Sequence, residues 1–317
     1  MGLTMPVAPA YAGVAPLRFA LITPRDGENV VSAWTPLLKR MGEQLGVSIV
    51  PEAISDTKAL IAGFAAGQVD LAWAGNAAAL AVVEDGHGEV FAQMKMTDGR
   101  LAYRSVLLTH RDSALKSIED VYREAGKLTY GDGEPNSTSG HLVPLYYAFV
   151  RQGVAEPHRL FKDIRVGKHR DNLLRAARRE VDLAATNDVE LELLRRENTA
   201  AAGSLRVLWH SPPIPQSPLL WRTALPRAVR QSIQQTVLRL GQDSPGEREA
   251  LRLANELGGF VPSNNRQLIT AADLEMFLQW RQVDNDTKMN RAERQARIAV
   301  ITHRASRLEV LLKRPSG

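Results

Sequence analysis

Cysteine is absent from the 317 residues, which removes disulfides, thiolate chemistry and cysteine metal sites at once. It also removes a lipidated cysteine as a tether. Long hydrophobic runs are missing too: the longest apolar stretch without a charge, Leu71 to Val83, is too short to span a bilayer and is interrupted by Gly75 and Asn76. A basic surplus on the main body is a third absence. The 40 lysines and arginines exceed the 35 acids by five, yet residues 281–317 alone hold nine basic and four acidic side chains. Residues 1–280 balance at 31 of each, so the body lacks the electrostatic footprint of a nucleic-acid groove. Catalytic motifs are missing as well. Histidines 87, 110, 141, 158, 169, 210 and 303 show no HExxH or paired metal spacing, and no Gly-x-Ser-x-Gly elbow occurs. No acid, base and nucleophile set can be placed, and neither a cofactor nor a metal is implied.

What remains is ample material for a soluble core, with 44% hydrophobic residues over a length that suggests two domains. Met1 to Leu17 is uncharged and contains Ala10-Tyr11-Ala12, of the small-x-small form of a secretory cleavage site, so residues 1–16 read as a leader or signal remnant. From Leu17 short β-rich runs alternate with helical stretches. Leu17–Thr23, Val47–Ile54 and Val69–Ala74 read as strands separated by helices at Asn29–Leu45 and Asp56–Ala66. This order predicts an α/β fold with a largely parallel sheet covered by helices.

After Tyr103–His110 the pattern restarts: helix Ile118–Glu124, strand Leu128–Tyr130, helix Ser139–Arg151, strand Ile164–Gly167, helix Asp171–Arg178 and strand Val181–Thr186. The halves echo each other. Val69-Asp70-Leu71-Ala72 and Val181-Asp182-Leu183-Ala184 each follow an amphipathic helix and run into a polar turn, Gly75-Asn76 or Asn187-Asp188. A repeated lobe follows, with Asp70 and Asp182 read as structural strand openers.

Two crossovers, Gly99–Arg104 and the four-proline segment Ser211–Pro218, connect the lobes. The expected boundaries are 17–102 plus 216–280 for lobe 1 and 103–215 for lobe 2. Ligands of such sheets bind beyond the carboxyl ends of the strands, here an interlobe cleft with a hinge. Residues 281–317 read as a long C-terminal helix. Its stripe of Ile298, Ile301, Ala305, Leu308 and Leu312 must bury against its own lobe or against a second copy in a homodimer.

The segment Leu128–His141 carries the most chemistry. A strand runs into a Gly/Pro/Asn turn and then a helix whose first turn bears Ser137, Thr138 and Ser139. First-turn amides lack internal partners and the helix dipole adds partial positive charge, so an anion is favoured there. One hydroxyl would suffice for an N-cap; three followed by Gly140 favour an oxyanion cradle. No lysine follows the glycines as a nucleotide P-loop requires, and Asn136 stands where a dinucleotide fingerprint needs its third glycine. His169, at the head of the next helix, is a further donor candidate. Ser55-Asp56-Thr57 and Gly75-Asn76 are plausible caps.

The run Gly133-Glu134-Pro135-Asn136-Ser137-Thr138-Ser139-Gly140-His141-Leu142-Val143-Pro144 resembles the signature of the phosphonate-binding periplasmic proteins of phosphate/phosphite/phosphonate ABC transporters. Trp34-Thr35-Pro36, Val69–Trp73 with Gly75-Asn76, Tyr103 with Ser105-Val106-Leu107, and Ser211-Pro212 with Ile214-Pro215 agree with it. The resemblance spans Leu17 to Met276. It implies a two-lobed periplasmic binding protein of type II-like fold that is not an enzyme, captures a phosphonate, phosphite or phosphate and delivers it to a membrane permease.

By the same resemblance the oxyanion donors fall on Ser137, Thr138, Ser139 and His169, with Tyr103 as a hinge-side contact. Thr57 stands where the family often has an aromatic residue, and Ser217 where relatives that bind an amine-bearing phosphonate place Asp. An acid facing the ligand is expected in the stretch from Asn187 to Glu190, with Asp188 and Glu190 as its candidates. An enzyme acting on a small phosphorylated metabolite with the same cradle is the alternative, and it would need a base or metal that the sequence does not display.

Overall fold

The computed structural model describes residues 15–22, 27–154 and 156–314. Ala10-Tyr11-Ala12 lies outside them. The chain forms two compact units. One takes the residues through Ala74, then Ala81–Leu101 and Ser217–Asn264; the other takes Gly75–Leu80, Ala102–Gln216 and the chain from Asn265.

The first unit is built on β1 (Leu17–Ile22), β2 (Ile49–Ile54), β3 (Leu71–Trp73) and β4 (Gly88–Met96), joined by two strands from late in the chain. In the second unit β5 (Ala102–Tyr103), β6 (Ser105–His110), β7 (Thr129–Asp132), β8 (Asp163–Val166), β9 (Leu183–Asn187), β10 (Leu205–His210) and β11 (Ile214–Pro215) follow. The late strands of the first unit are β12 (Pro218–Arg222) and β13 (Leu257–Pro262), and its sheet order is β13-β4-β12-β3-β1-β2. β1 runs parallel to β2 and β3, whereas β12 and β13 pair antiparallel. The parallel βαβαβ start is therefore as the sequence pattern implies, and the antiparallel half arises from strands the pattern did not single out. Trp34 stacks on Trp73 in its core at a ring-centroid distance of 5.1 Å and meets Phe19 at a tilt at 5.7 Å.

The second unit holds the order β10-β6-β9-β7-β8, with β7 parallel to β8 and β9 and with β6 antiparallel to β9 and β10. Both faces are covered, and β6 shows why. Leu107 enters a core with Tyr130, Phe149 and Phe161, while Val106 and Leu108 enter the opposite one with Leu173 and Leu191. Successive side chains of a strand point to opposite faces, so one apolar run feeds two cores. The crossover segments pair as a small antiparallel ladder, Ile214 opposite Tyr103.

The repeated aspartates perform the same local task in each unit. Asp70 accepts the Arg18 N–H through Oδ2 and returns its own N–H to the Arg18 carbonyl, both at 3.0 Å. Asp182 does the same with Thr129, at 2.8 and 2.9 Å. Each clamps the start of a neighbouring parallel strand. The structural role follows from backbone geometry.

The C-terminal region differs from the sequence pattern. Residues 265–280, which the pattern assigns to lobe 1, group with the second unit. The helix read over 286–313 is present as Arg291–Lys313, opened by a capping box of Asn290 and Glu293, and a separate helix, Ile269–Asn285, precedes it. Leu308 and Leu312 of the expected stripe are buried, and Arg304 pairs with Glu275 of the preceding helix at 2.7 Å. Ile298, Ile301 and Ala305 are half-buried, so the C-terminal end of the stripe packs within its own unit.

Candidate functional site

β7 ends at Asp132 and delivers the chain into the turn before Ser137. The following helix is not a regular α-helix. Thr138–Leu142 and Leu145–Phe149 form wide turns in which N–H groups reach back five residues: Leu142 to the Ser137 carbonyl and Val143 to that of Thr138. Pro144 sits between these turns and has no N–H to continue a regular ladder. The wide turn keeps Ser137, Thr138 and Ser139 together at one end.

Their hydroxyls divide the work. Ser137 Oγ caps the turn by accepting the Gly140 N–H at 3.0 Å. Thr138 Oγ1 accepts the Ala77 N–H at 2.9 Å and keeps its own proton to donate. Ser139, 2% exposed, lies with Oγ 3.4 Å from His169 Nε2 and 3.4 Å from Asn187 Nδ2, while its carbonyl accepts the Ser105 hydroxyl at 2.6 Å. His169 opens the helix His169–Ala177, and its Nε2 is also 3.4 Å from Ser137 Oγ.

Burial holds the His169 imidazole at a pKa of about 4, so the ring is neutral at neutral pH. Its Nδ1 is buried without a hydrogen-bond partner among the described residues. A proton on Nε2 aims the single N–H at the hydroxyl pair. Burial, above all, pushes the Tyr103 phenol up to about 12; hydrogen bonds with Ser139 and Asn76 oppose the rise, and the Asp188 charge adds to it. Tyr103 therefore stays a protonated donor.

The structure thus brings Ser137, Thr138, Ser139, His169, Tyr103 and Asp188 into one neighbourhood of the second unit. Asp188 turns Oδ1 to the Arg104 N–H at 3.0 Å. Thr57 and Ser217 belong to the first unit. Thr57 is buried at the first position of the helix Thr57–Ala65, behind the Asp56 cap, and the Ser217 carbonyl accepts the Met94 N–H at 3.1 Å.

Two residues at the cradle read as caps or polar turns in the sequence. Asn187 does cap the next helix, accepting the Glu190 N–H through Oδ1 at 2.8 Å, and its Nδ2 reaches Ser139. Asn76 donates to the Pro215 carbonyl at 2.8 Å and accepts from Gln267 at 3.0 Å. The echo between the two polar turns was the available signal. An amide with a donor end and an acceptor end fills both roles.

Chemically the cradle is a set of neutral donors at a helix start: hydroxyls, one imidazole N–H, one phenol and first-turn amides. Such a set suits an oxyanion whose charge is shared over several oxygens. Two α/β units, the second carrying a donor cluster at the end of its strand β7, have the fold of the two-lobed periplasmic binding proteins.

Residues 19–268 match the family described as the periplasmic substrate-binding protein of the phosphonate ABC transporter. The phosphonates-binding periplasmic protein of Escherichia coli is 32% identical over 288 residues, covering 90% of this chain and 83% of that protein. A crystal structure of a binding protein component of an ABC phosphonate transporter from Pseudomonas aeruginosa superposes with a TM-score of 0.85 at 33% identity, covering 93% of this chain and 97% of that one. A Prochlorococcus marinus protein solved with methylphosphonate shares the fold at TM-score 0.72 and 19% identity, over 83% and 97% of the two chains. The chain belongs to the phosphonate-binding periplasmic family of ABC transporter substrate-binding proteins.

Proposed function

We propose that this protein captures a phosphonate, phosphite or related oxyanion at the cradle of Ser137, Thr138, Ser139, His169 and Tyr103, and delivers it to an ABC permease from the periplasmic side. The observation that carries the reading is the convergence of these donors on the first turn after β7. Hydrogen bonds to a charged partner contribute about 1.5–3 kcal/mol each. Three or four of them support binding near −8 kcal/mol, roughly micromolar, after desolvation is offset.

Calorimetric titration with methylphosphonate tests the site. Ser139→Ala is expected to weaken binding by about 1.5–3 kcal/mol, roughly 10- to 150-fold. Unliganded stability is expected to fall by about 1 kcal/mol, because Asn187 Nδ2 and His169 Nε2 lose this partner while the cap made by Ser137 stays in place. An unchanged affinity refutes the assignment.

Thr57 and Ser217 are proposed to read the substituent on phosphorus, on the family resemblance. A hydroxyl at 217 offers no counter-charge to an ammonium group, so small uncharged substituents are favoured. Ser217→Asp is expected to raise affinity for 2-aminoethylphosphonate relative to methylphosphonate by about 1 kcal/mol. A wild-type preference for the amine that this variant leaves untouched would assign the amine to another acid, Asp188 first.

A homodimer through the C-terminal helix Arg291–Lys313 is also proposed, and sedimentation equilibrium showing a monomer at tens of micromolar would count against it. There Val300 and Val310 are 68% and 58% exposed.

A further inference from the structure

Asp132 ends β7 directly beneath the oxyanion turn and is 3% exposed. A buried carboxylate behind an anion site disfavours the anion unless its own charge and lone pairs are satisfied. Here both oxygens are engaged: Oδ1 accepts the Gly133 N–H at 2.9 Å, and Oδ2 accepts Nδ1 of His141 at 2.8 Å. His141 lies inside the wide turn that begins at Thr138. The pair therefore ties the end of the strand to the same turn that presents the hydroxyls.

The backbone of Asp132 works on the other side. Its carbonyl accepts Asn172 Nδ2 and the Gly167 N–H, each at 3.0 Å. Asn172 is fully buried on the helix that His169 opens, and its Nδ2 also lies 3.2 and 3.1 Å from the carbonyls of Gly131 and Ala185. One residue thus holds the Ser139 turn through its carboxylate and the His169 helix through its carbonyl.

We propose that Asp132 and His141 form a positioning pair, which touches no ligand and fixes the spacing between the Ser139 hydroxyl and the His169 ring. The proposal rests on the reading of that site as the ligand cradle. Two arms of a ligand contact 3.4 Å apart tolerate little displacement, because hydrogen bonds weaken steeply as distance and angle depart from their optimum. Loss of the Nδ1 donor leaves the buried carboxylate without that partner and frees the turn to move away from the strand.

The test is titration of the full chain with methylphosphonate at a temperature where each variant is fully folded. His141→Leu is expected to lose at least tenfold in affinity. His141→Asn, whose side-chain N–H stands close to the place of Nδ1, is expected to recover to within threefold of wild type. Ser139→Ala is expected to cost markedly less in the His141→Leu background than in the wild type, because the hydroxyl is already misplaced; a merely structural role gives additive losses.

Wild-type affinity in His141→Leu, with Ser139→Ala still weakened, overturns the pair and leaves the cradle intact. Unchanged affinity in both shows that the cradle reading itself is wrong, and the pair falls with it. Where His141→Leu does not fold, His141→Gln, with its N–H placed beyond the Nδ1 position, takes its place under the same criteria.

Discussion

Gly133→Ala is expected to reduce methylphosphonate affinity by more than 100-fold while the protein still folds. A Cβ at this position would stand 2.5 Å from the carbonyl carbon of Gly140 and 2.7 Å from its Cα and oxygen. All three are backbone atoms, so no side-chain rotation relieves the overlap. The same two residues are joined by the Gly133 N–H donating to the Gly140 carbonyl at 2.9 Å. An added methyl group must push the turn off the strand end, and with it Ser139 and the first-turn amides.

Overpacking of this kind costs about 1–3 kcal/mol of stability. The larger effect falls on binding, because several donors move together. Gly140→Ala should be milder. Its Cβ would meet the Ser137 Oγ at 2.7 Å, the His169 Cε1 at 3.0 Å and the Gly133 Cα at 3.2 Å, so it displaces two donors of the cradle but presses the backbone less closely than an added methyl at Gly133 would. Gly126→Ala, with open space around it, is the control. Titration of the three variants beside thermal unfolding checks the order, and a Gly133→Ala protein that binds within threefold of wild type would falsify the backbone-contact argument.

The sequence made the cradle legible because its logic is local. A strand end, a turn and three hydroxyls at a helix start need nothing from elsewhere to be recognised, and the clamp made by Asp70 or Asp182 is likewise confined to one strand pair. Other features depend on partners distant in the chain. The antiparallel half of the first sheet requires β12 and β13, more than 120 residues after β4. The assignment of residues 265–280 turns on contacts such as that of Gln267 with the Gln216 carbonyl at 2.6 Å and with Asn76 at 3.0 Å. Periodicity along a helix says which face is buried and not which unit buries it. Asp132 is a still harder case: in sequence it is one acid in a turn-like Gly-Asp-Gly, and only the fold puts His141 and Asn172 on its two sides.

His169 gives the second large effect, a pH dependence of stability. The folded ring titrates at about 4, against 6.5 for an exposed histidine, and burial is the cause. Between those two values the unfolded chain holds more protons than the folded one, so stability rises with pH across that window and is lost as pH falls. Above 6.5 both states hold a neutral ring and the group contributes nothing. Below 4 the full penalty is present, about 3 kcal/mol for a shift of this size.

His169→Gln keeps a side-chain N–H near the Nε2 position and removes the titration. Urea unfolding of the unliganded protein from pH 7 to pH 4 should therefore show a slope in the wild type that exceeds the variant's by nearly one proton at its steepest. Every other titrating group is common to the two proteins, so the difference isolates this ring. A bound oxyanion beside Nε2 favours the imidazolium, and saturating methylphosphonate is expected to narrow the difference between the two slopes. Parallel curves for wild type and His169→Gln would show that the ring is not held neutral by burial, and the neutral-donor description of the cradle would have to be given up.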